Sequence, residues 1–197
     1  MDCAKIGRLI LQLRKEKGMT QRQVAEQLNI SNKTVSKWEC GLGCPDTSLW
    51  EELSVVLGAD VLKLLQGELN PNQRDVGKLE QTQFYVCPAC GNILTSTGKA
   101  TISCCGRRLP ALTPIPAIAG HEVQCEEIDI ELYLTLNHEM SKQHYIVFVA
   151  YVCNNYVILH RLYPEQSPAV RLPVMHGGQL YLYCSKHGFQ KGIMRTN

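Results

Sequence analysis

Apolar residues recur at helical spacing through the first third of the chain and alternate with polar ones through the last third. A helical segment and a β-rich segment are therefore predicted on one polypeptide. Ile6, Leu9, Ile10 and Leu13 mark one face of a first helix, which Gly18 stops. Thr20 and Gln23 form a capping box ahead of Val24, Ala25 and Leu28, each side chain satisfying an orphan amide of the other end of the turn. Asn29 accepts a left-handed turn with little strain, and Ser31 caps a third helix running to about Glu39. Asp46 caps a fourth helix carrying Leu49, Leu53 and Leu57; Gly58 ends it and Asp60 starts a fifth. Residues 69–83 are polar and predict a mobile linker. Beyond a proline-rich junction at Leu109 to Pro116, Ile128, Ile130, Leu132, Leu134 and Leu136 alternate with polar residues and predict one half-buried strand. Another runs from His144 to Val152, turns at Asn154-Asn155 and returns through Tyr156 to Leu162. Val170 to Val174 and Leu180 to Tyr183 follow as strands.

Composition changes this picture in two places. The net charge of +2 conceals a local asymmetry: residues 1–37 carry eight Lys/Arg against three Asp/Glu, whereas residues 38–68 carry one against six. The basic half suggests a face for a polyanion. No apolar run approaches the ~18 residues that cross a bilayer, and the first 18 residues are amphipathic and charged, so a soluble cytoplasmic protein is expected. In that compartment ten cysteines argue for metal ligation or redox chemistry before disulfides.

Thr-Gln-x-x-Val-Ala-Glu-x-Leu, Ile-Ser, Val-Ser-Lys-Trp-Glu, Pro-Asp and Leu-Gly-Ala-Asp closely resemble the Cro/C1-type (XRE) helix-turn-helix domain over nearly all of the first 68 residues. The resemblance implies that the second helix docks its N-terminus on phosphate and the third enters the major groove of double-stranded DNA. Asn32 suits adenine, Lys33 and Lys37 guanine or phosphate, and Thr34 a thymine methyl, while Gln21 sits where the family often anchors its helix. Cys40 replaces the Arg or Asn common after Trp-Glu. Cys40 and Cys44, beside the recognition helix, read as a possible disulfide or as two incidental thiols.

Cys87-Pro-Ala-Cys90 and, 13 residues on, Cys104-Cys105-Gly supply four thiolates that suit zinc or iron. The adjacent pair resembles desulforedoxin, which implies a mononuclear iron tetrathiolate acting as a one-electron centre.

His121, then His138-x-Met-x-x-x-His144-Tyr-Ile, then Cys184-x-x-His187-Gly complete the chain's chemistry. An imidazole and a thiolate in one short turn, with three further histidines, can grip one transition ion. The order resembles the iron ligands of superoxide reductases (neelaredoxin and desulfoferrodoxin). That resemblance implies four equatorial imidazoles, an axial thiolate from Cys184, and an open position at which superoxide is reduced to peroxide. His160 and His176 match no ligand position. The Glu-Lys pair usual before the first histidine is replaced by Ala119 and Gly120, with Lys142 and Lys186 as possible substitutes. The usual proline after the second histidine is Glu139.

The expected architecture is multidomain α + β: a five-helix bundle at 1–68, a linker at 69–83, an iron-tetrathiolate domain at 84–111 and an immunoglobulin-like β-sandwich at 112–197. The expected protein is a homodimer that binds DNA and reduces superoxide at iron, fed by a donor such as a rubredoxin-like protein. The alternative is a redox-sensing regulator without turnover. Cys3, Cys40, Cys44, Cys125 and Cys153 have no assigned role.

Overall fold

A computed structural model describes residues 2–174 and 177–196, leaving His176 outside the described residues. The chain divides into two compact units, Met1–Pro71 and Asn72–Asn197.

The first unit holds α1 (Cys3–Glu16), α2 (Gln21–Gln27), α3 (Asn32–Glu39), α4 (Trp50–Leu57) and α5 (Val61–Gln66). Local chemistry sets most of the ends. The Thr20–Gln23 capping box opens α2, and the Ser31 side chain accepts from the Thr34 amide to open α3. Asn29 takes the left-handed conformation between them, at φ 52°. One boundary differs from expectation. Asp46 caps a 3₁₀ turn over Thr47–Leu49, and the α-helix proper begins only at Trp50. The core packs Ile6, Ile10, Val24, Val35, Leu53 and Leu64.

Within this unit α1 and α3 meet backbone to backbone. A Cβ on Gly7 would stand 1.9 Å from the Trp38 carbonyl oxygen, so only glycine allows the approach. That contact brings the start of α1 beside the segment after α3, where Cys3 is disulfide-bonded to Cys44 with Cα atoms 5.1 Å apart. The pairing corrects two sequence expectations. Cysteines outside the metal sets form a disulfide here, and the partner of Cys44 is Cys3, while Cys40 is exposed and free. Nothing local in the sequence signals a bond across 41 residues; the helix packing creates it.

The second unit begins with two hairpins, β1 (Gln83–Val86) with β2 (Ile93–Ser96) and β3 (Ile102–Cys104) with β4 (Arg107–Leu109). Eight further strands follow: β5 (Val123–Ile128), β6 (Glu131–Leu136), β7 (Ile146–Val152), β8 (Val157–Arg161), β9 (Ala169–Pro173), β10 (Gln179–Cys184), β11 (Gly188–Lys191) and β12 (Met194–Thr196). They form sheets in the orders β11-β10-β7-β8 and β12-β5-β6-β9. Val123, Leu134 and Leu136 of one sheet and Val149, Tyr151 and Leu182 of the other share a core, giving a sandwich.

Every residue of β7 is buried. One face enters the sandwich core; Phe148, Ala150 and Val152 on the other pack with Phe84 and Phe189, so the first hairpin covers the outside of the sheet. The Phe84 ring lies 5.8 Å from Phe148 and 5.3 Å from Phe189. Leu79 packs against the same cluster, and Asp75 is hydrogen-bonded to Thr97. Much of the stretch read as a linker is thus attached to this unit.

The strand expected over residues 127–136 is in fact two. β5 ends at Ile128, Asp129 turns the chain at φ 56°, and β6 starts at Glu131, with Ile128 paired to Glu131. The two-residue turn pairs residues of opposite parity, so the inward face passes from odd positions in β5 (Val123, Cys125) to even positions in β6 (Leu134, Leu136), and Ile128 and Ile130 continue the even alternation in sequence without facing the core. Ile130 is accordingly 82% exposed. No helix among the described residues is long and apolar enough to cross a membrane.

The disulfide yields a stability expectation. Closing a loop of 41 residues contributes roughly 4 kcal/mol through the unfolded state. Both tryptophans, Trp38 and Trp50, lie in the first unit, so their fluorescence reports it alone. Cys44→Ser is expected to lower its denaturation free energy by up to ~4 kcal/mol, and added reductant to lower the parent but not the variant.

Candidate metal centres and nucleic-acid interface

The sandwich brings five donors together at one rim. His121 precedes β5 and His138 follows β6, so the first sheet contributes two; His144 precedes β7, Cys184 ends β10 and His187 lies in the turn to β11, so the other contributes three. The pairing of β10 with β7 shifts register at Cys184, which partners Ile146 after Tyr183 has partnered Phe148. This bulge releases the chain from the ladder at the thiol. The Ser185 amide then donates to the Tyr145 carbonyl at 2.9 Å, closing the turn that carries His187.

Each ring has a defined inner nitrogen. His121 Nδ1 lies 3.4 Å from the Ala119 carbonyl oxygen, His138 Nδ1 lies against the Glu139 carbonyl oxygen, and His144 Nδ1 lies 3.0 Å from Glu139 Oε2. Acceptors at Nδ1 place the proton there and leave Nε2 with its lone pair free. Those three Nε2 atoms, with His187 Nδ1 and Cys184 Sγ, face one another. His187 Nδ1 is 3.2 Å from His144 Nε2, 3.3 Å from His121 Nε2 and 3.5 Å from Cys184 Sγ. All five residues offer ligand atoms within 4.8 Å of one another.

That spacing fits one ion. Nitrogens bound at ~2.1 Å are ~3.0 Å apart at right angles and ~4.2 Å apart across the metal. Burial first, then the neighbouring imidazoles, hold His121 and His138 below the ordinary histidine value, in the neutral form that ligates. His121 is 2% exposed and Cys184 fully buried. The Ser141 hydroxyl first, then His144, hold the Glu139 carboxyl below its usual range, so the rim also carries a carboxylate.

The four-thiol set is built by two turns. Cys87, Cys90 and Asn92 bracket a knuckle closed by the Cys87 amide on the Asn92 carbonyl at 2.9 Å. Cys104 ends β3, and Cys105-Gly106, with φ of 51° and 71°, form the two-residue turn into β4. A hairpin of this kind needs left-handed residues at both positions, which accounts for Cys-Cys-Gly as a unit. Cys90 Sγ stands 3.6 Å from Cys104 Sγ, and Cys104 Sγ 4.0 Å from Cys105 Sγ. The edge of a tetrahedron with ~2.3 Å metal–sulfur bonds is ~3.8 Å. The Cys90 and Ala89 amides pull the Cys87 thiol down to about 6, whereas hydrogen bonding with Cys90, then Cys104 and Cys87, pushes Cys105 up to about 12. One thiolate thus opposes ionisation of the next, and a cation is what lets all four ionise together.

In the first unit Asn32, Lys33 and Lys37 are exposed on α3. Thr34 shares a 2.8 Å hydrogen bond with Ser31, and Gln21 donates from Nε2 to Glu39 Oε2 at 2.8 Å. Glu39 also receives Arg14 through Nε at 2.5 Å and a second guanidinium nitrogen at 2.9 Å. Burial raises the Glu39 carboxyl, but the hydrogen bonds from Arg14 and Gln21 outweigh it and leave it below the usual value. With side chains 12% and 4% exposed, the Arg14–Glu39 pair ties α1 to α3, and Gln21 joins α2 to the same carboxylate. Sequence reading passed over this pair; the Glu after Trp38 was its only trace.

Other placements sharpen the sequence reading. His160 lies on β8, outside both donor sets. Lys142 pairs with Glu165 at 3.9 Å, while the charge of Lys186 acts on Glu139. Gln190, fully buried on β11, accepts from the Ile118 amide at 3.1 Å and so anchors the loop leading to His121, a role without a sequence signal.

Comparison with known proteins divides along the same line as the units. Residues 10–64 match the helix-turn-helix family HTH_3. The chain is 42% identical over 57 residues to the HTH-type transcriptional activator BcrR of Enterococcus faecalis, covering 29% of this chain and 28% of that protein. It is 28% identical over 118 residues to a desulfoferrodoxin homolog of Archaeoglobus fulgidus, covering 55% of this chain and 94% of that one. The superoxide reductase of Treponema pallidum superposes with a TM-score of 0.49 at 19% identity, over 57% of this chain and 98% of that one.

Because the two donor sets share no residue, they are separable. Titration with Co(II) is expected to fill two sites per chain. Cys184→Ser is expected to abolish the thiolate absorption of one site and leave the tetrathiolate bands intact, read by electronic spectroscopy.

Proposed function

We propose that this chain, in which an XRE-type helix-turn-helix domain is joined to a desulfoferrodoxin-like unit, binds duplex DNA and reduces superoxide to hydrogen peroxide at a His4Cys iron centre. The observation that carries the reading is the convergence of His121, His138, His144, Cys184 and His187 on one point. Iron held by these five residues would supply the single electron in O2•− + e− + 2 H+ → H2O2, and a metal held by the four cysteines would be suited to relaying electrons. The remaining work falls to side chains. Four imidazoles would present neutral nitrogen donors to the iron, and the buried Cys184 would supply an electron-rich sulfur. Asn32, Lys33, Thr34 and Lys37 on α3 meet base edges and phosphates, with Gln21 at the start of α2 held in place by Glu39.

A second reading, a superoxide- or peroxide-responsive regulator with little turnover, is favoured by one feature. Ala119 and Gly120, both exposed, stand where the family places its carboxylate and superoxide-attracting lysine. An ammonium ~6 Å from superoxide contributes between ~0.7 kcal/mol in water and ~3 kcal/mol at an effective dielectric of 20. Its loss slows reaction by roughly 3- to 100-fold. Gly120 holds φ 80°, a conformation that strains any side chain, so Ala119 is the better place to restore the charge. Ala119→Lys is expected to accelerate peroxide formation in stopped-flow mixing of the reduced, iron-loaded protein with superoxide. Sustained turnover with a reductant identifies a reductase; a single oxidation without turnover identifies a sensor.

DNA binding is tested apart from the iron chemistry. Lys37→Ala is expected to weaken binding to duplex DNA and, if its contact is with phosphate, to reduce the slope of log affinity against log salt by about 1. Affinities measured for the reduced chain, the iron-oxidised chain and Cys44→Ser separate an iron-linked switch from a disulfide-linked one. Equal values for all three favour a DNA-tethered reductase.

A further inference from the structure

Two of the four imidazoles take their orientation from a single residue. Glu139 follows His138, and its main-chain carbonyl accepts from His138 Nδ1–H; its side-chain Oε2 lies 3.0 Å from His144 Nδ1. The segment 137–145 is the connection from β6 to β7, so His138 belongs to the end of one sheet and His144 to the start of the other. A single residue therefore spans the ligands of both sheets.

An exposed carboxylate at a protein surface ordinarily contributes little, and the Glu139 side chain is 62% exposed. Its partner is different. The His144 side chain is only 18% exposed, and its other nitrogen is aimed inward, 3.2 Å from His187 Nδ1. An imidazole in that position has two ring orientations and two tautomers, and only one combination presents a lone pair on Nε2. The carboxylate selects it by accepting the Nδ1 proton. The same hydrogen bond makes the ring a stronger donor, because negative charge behind an N–H raises electron density at the opposite nitrogen. By contrast, the Nδ1 atoms of His121 and His138 meet only main-chain carbonyls.

We propose that Glu139 is the positioning residue of the five-donor centre, fixing the ligating nitrogens of His138 through its carbonyl and of His144 through its carboxylate, and strengthening His144 as a metal donor. This rests on the reading of the cluster as a metal centre. Substitution removes only the side-chain half of the role, so the effect concentrates on His144.

The test uses the full chain with Co(II) as the probe. Glu139→Ala is expected to weaken Co(II) binding at the five-donor site by roughly 10- to 100-fold, the usual cost of removing a carboxylate behind a ligating imidazole. Glu139→Gln keeps an acceptor oxygen and loses the charge, and is expected to fall between parent and Glu139→Ala. The tetrathiolate bands report whether the second unit stays folded. A second readout is the tautomer of His144 in the metal-free chain, from two-bond proton–nitrogen spectra: Nδ1–H in the parent, with Nε2–H appearing in Glu139→Ala. Parent-like affinity and an unchanged His144 tautomer in Glu139→Ala overturn the proposal. If that variant also loses the tetrathiolate bands, Glu139→Gln decides: weaker binding than the parent supports the role, and parent-like binding overturns it. A parent chain that takes up Co(II) at the four thiols alone refutes the reading of the cluster instead.

Discussion

Four imidazoles and a thiol aimed at one point form the constraint around which the second unit is built. Nitrogen lone pairs and a sulfur held within 4.8 Å lose hydration on burial and repel one another, a cost that a bound cation would offset. Satisfying it takes both sheets, a register shift at Cys184, a turn tied to Tyr145, and acceptors behind three of the rings. The sandwich core holds together the two sheet ends that carry these residues. Gln190 does similar work for the loop before His121, from a fully buried position on β11.

The tetrathiolate hairpins and the sandwich are mechanically linked within this unit. Phe84, only three residues from Cys87, sits among Phe148 and Phe189 on the outer face of the β7 sheet. Cys184 and His187 flank the β10–β11 turn, and Phe189 follows two residues later. A continuous aromatic cluster thus lies between the segment bearing Cys87 and the strands flanking Cys184 and His187. Coupling through a packed cluster of this kind is short in chain terms and resists deformation. The helical unit has its own fixing devices. Gly7 admits the Trp38 carbonyl, Arg14–Glu39–Gln21 joins three helices, and Cys3–Cys44 locks the start of α1 to the segment after α3. All three act at or just beyond the C-terminal end of α3, so that end is held by three separate contacts.

Much of this was legible from the residues alone where the relevant physics is local. Capping by Thr20 and Ser31, the left-handed Asn29, and the helix end at Gly58 depend on neighbours within a few positions. The donor sets were legible for a related reason. Metal ligation requires particular atoms, Cys and His in short turns, and few other residue types can substitute. What failed was information carried by parity or by distance along the chain. The alternation from Glu127 to Leu136 continues in sequence across Asp129-Ile130, although the turn moves the inward face from odd positions in β5 to even ones in β6, so the residues suggest one strand where there is a hairpin.

The sequence by itself determined the identity of the helices, the two donor sets and the modular order of the chain, because each follows from side-chain chemistry acting over a turn or two. The tertiary structure alone decided which nitrogen of each histidine faces inward, since that depends on acceptors at Ala119 and Glu139 placed by the folding of the loops. It alone paired Cys3 with Cys44, because 41 residues of chain separate them and only the packing of α1 on α3 brings their Cα atoms to 5.1 Å. It alone attached residues 72–83 and Phe84 to the sandwich, since a polar stretch gives no sign of the surface on which its few apolar side chains will land.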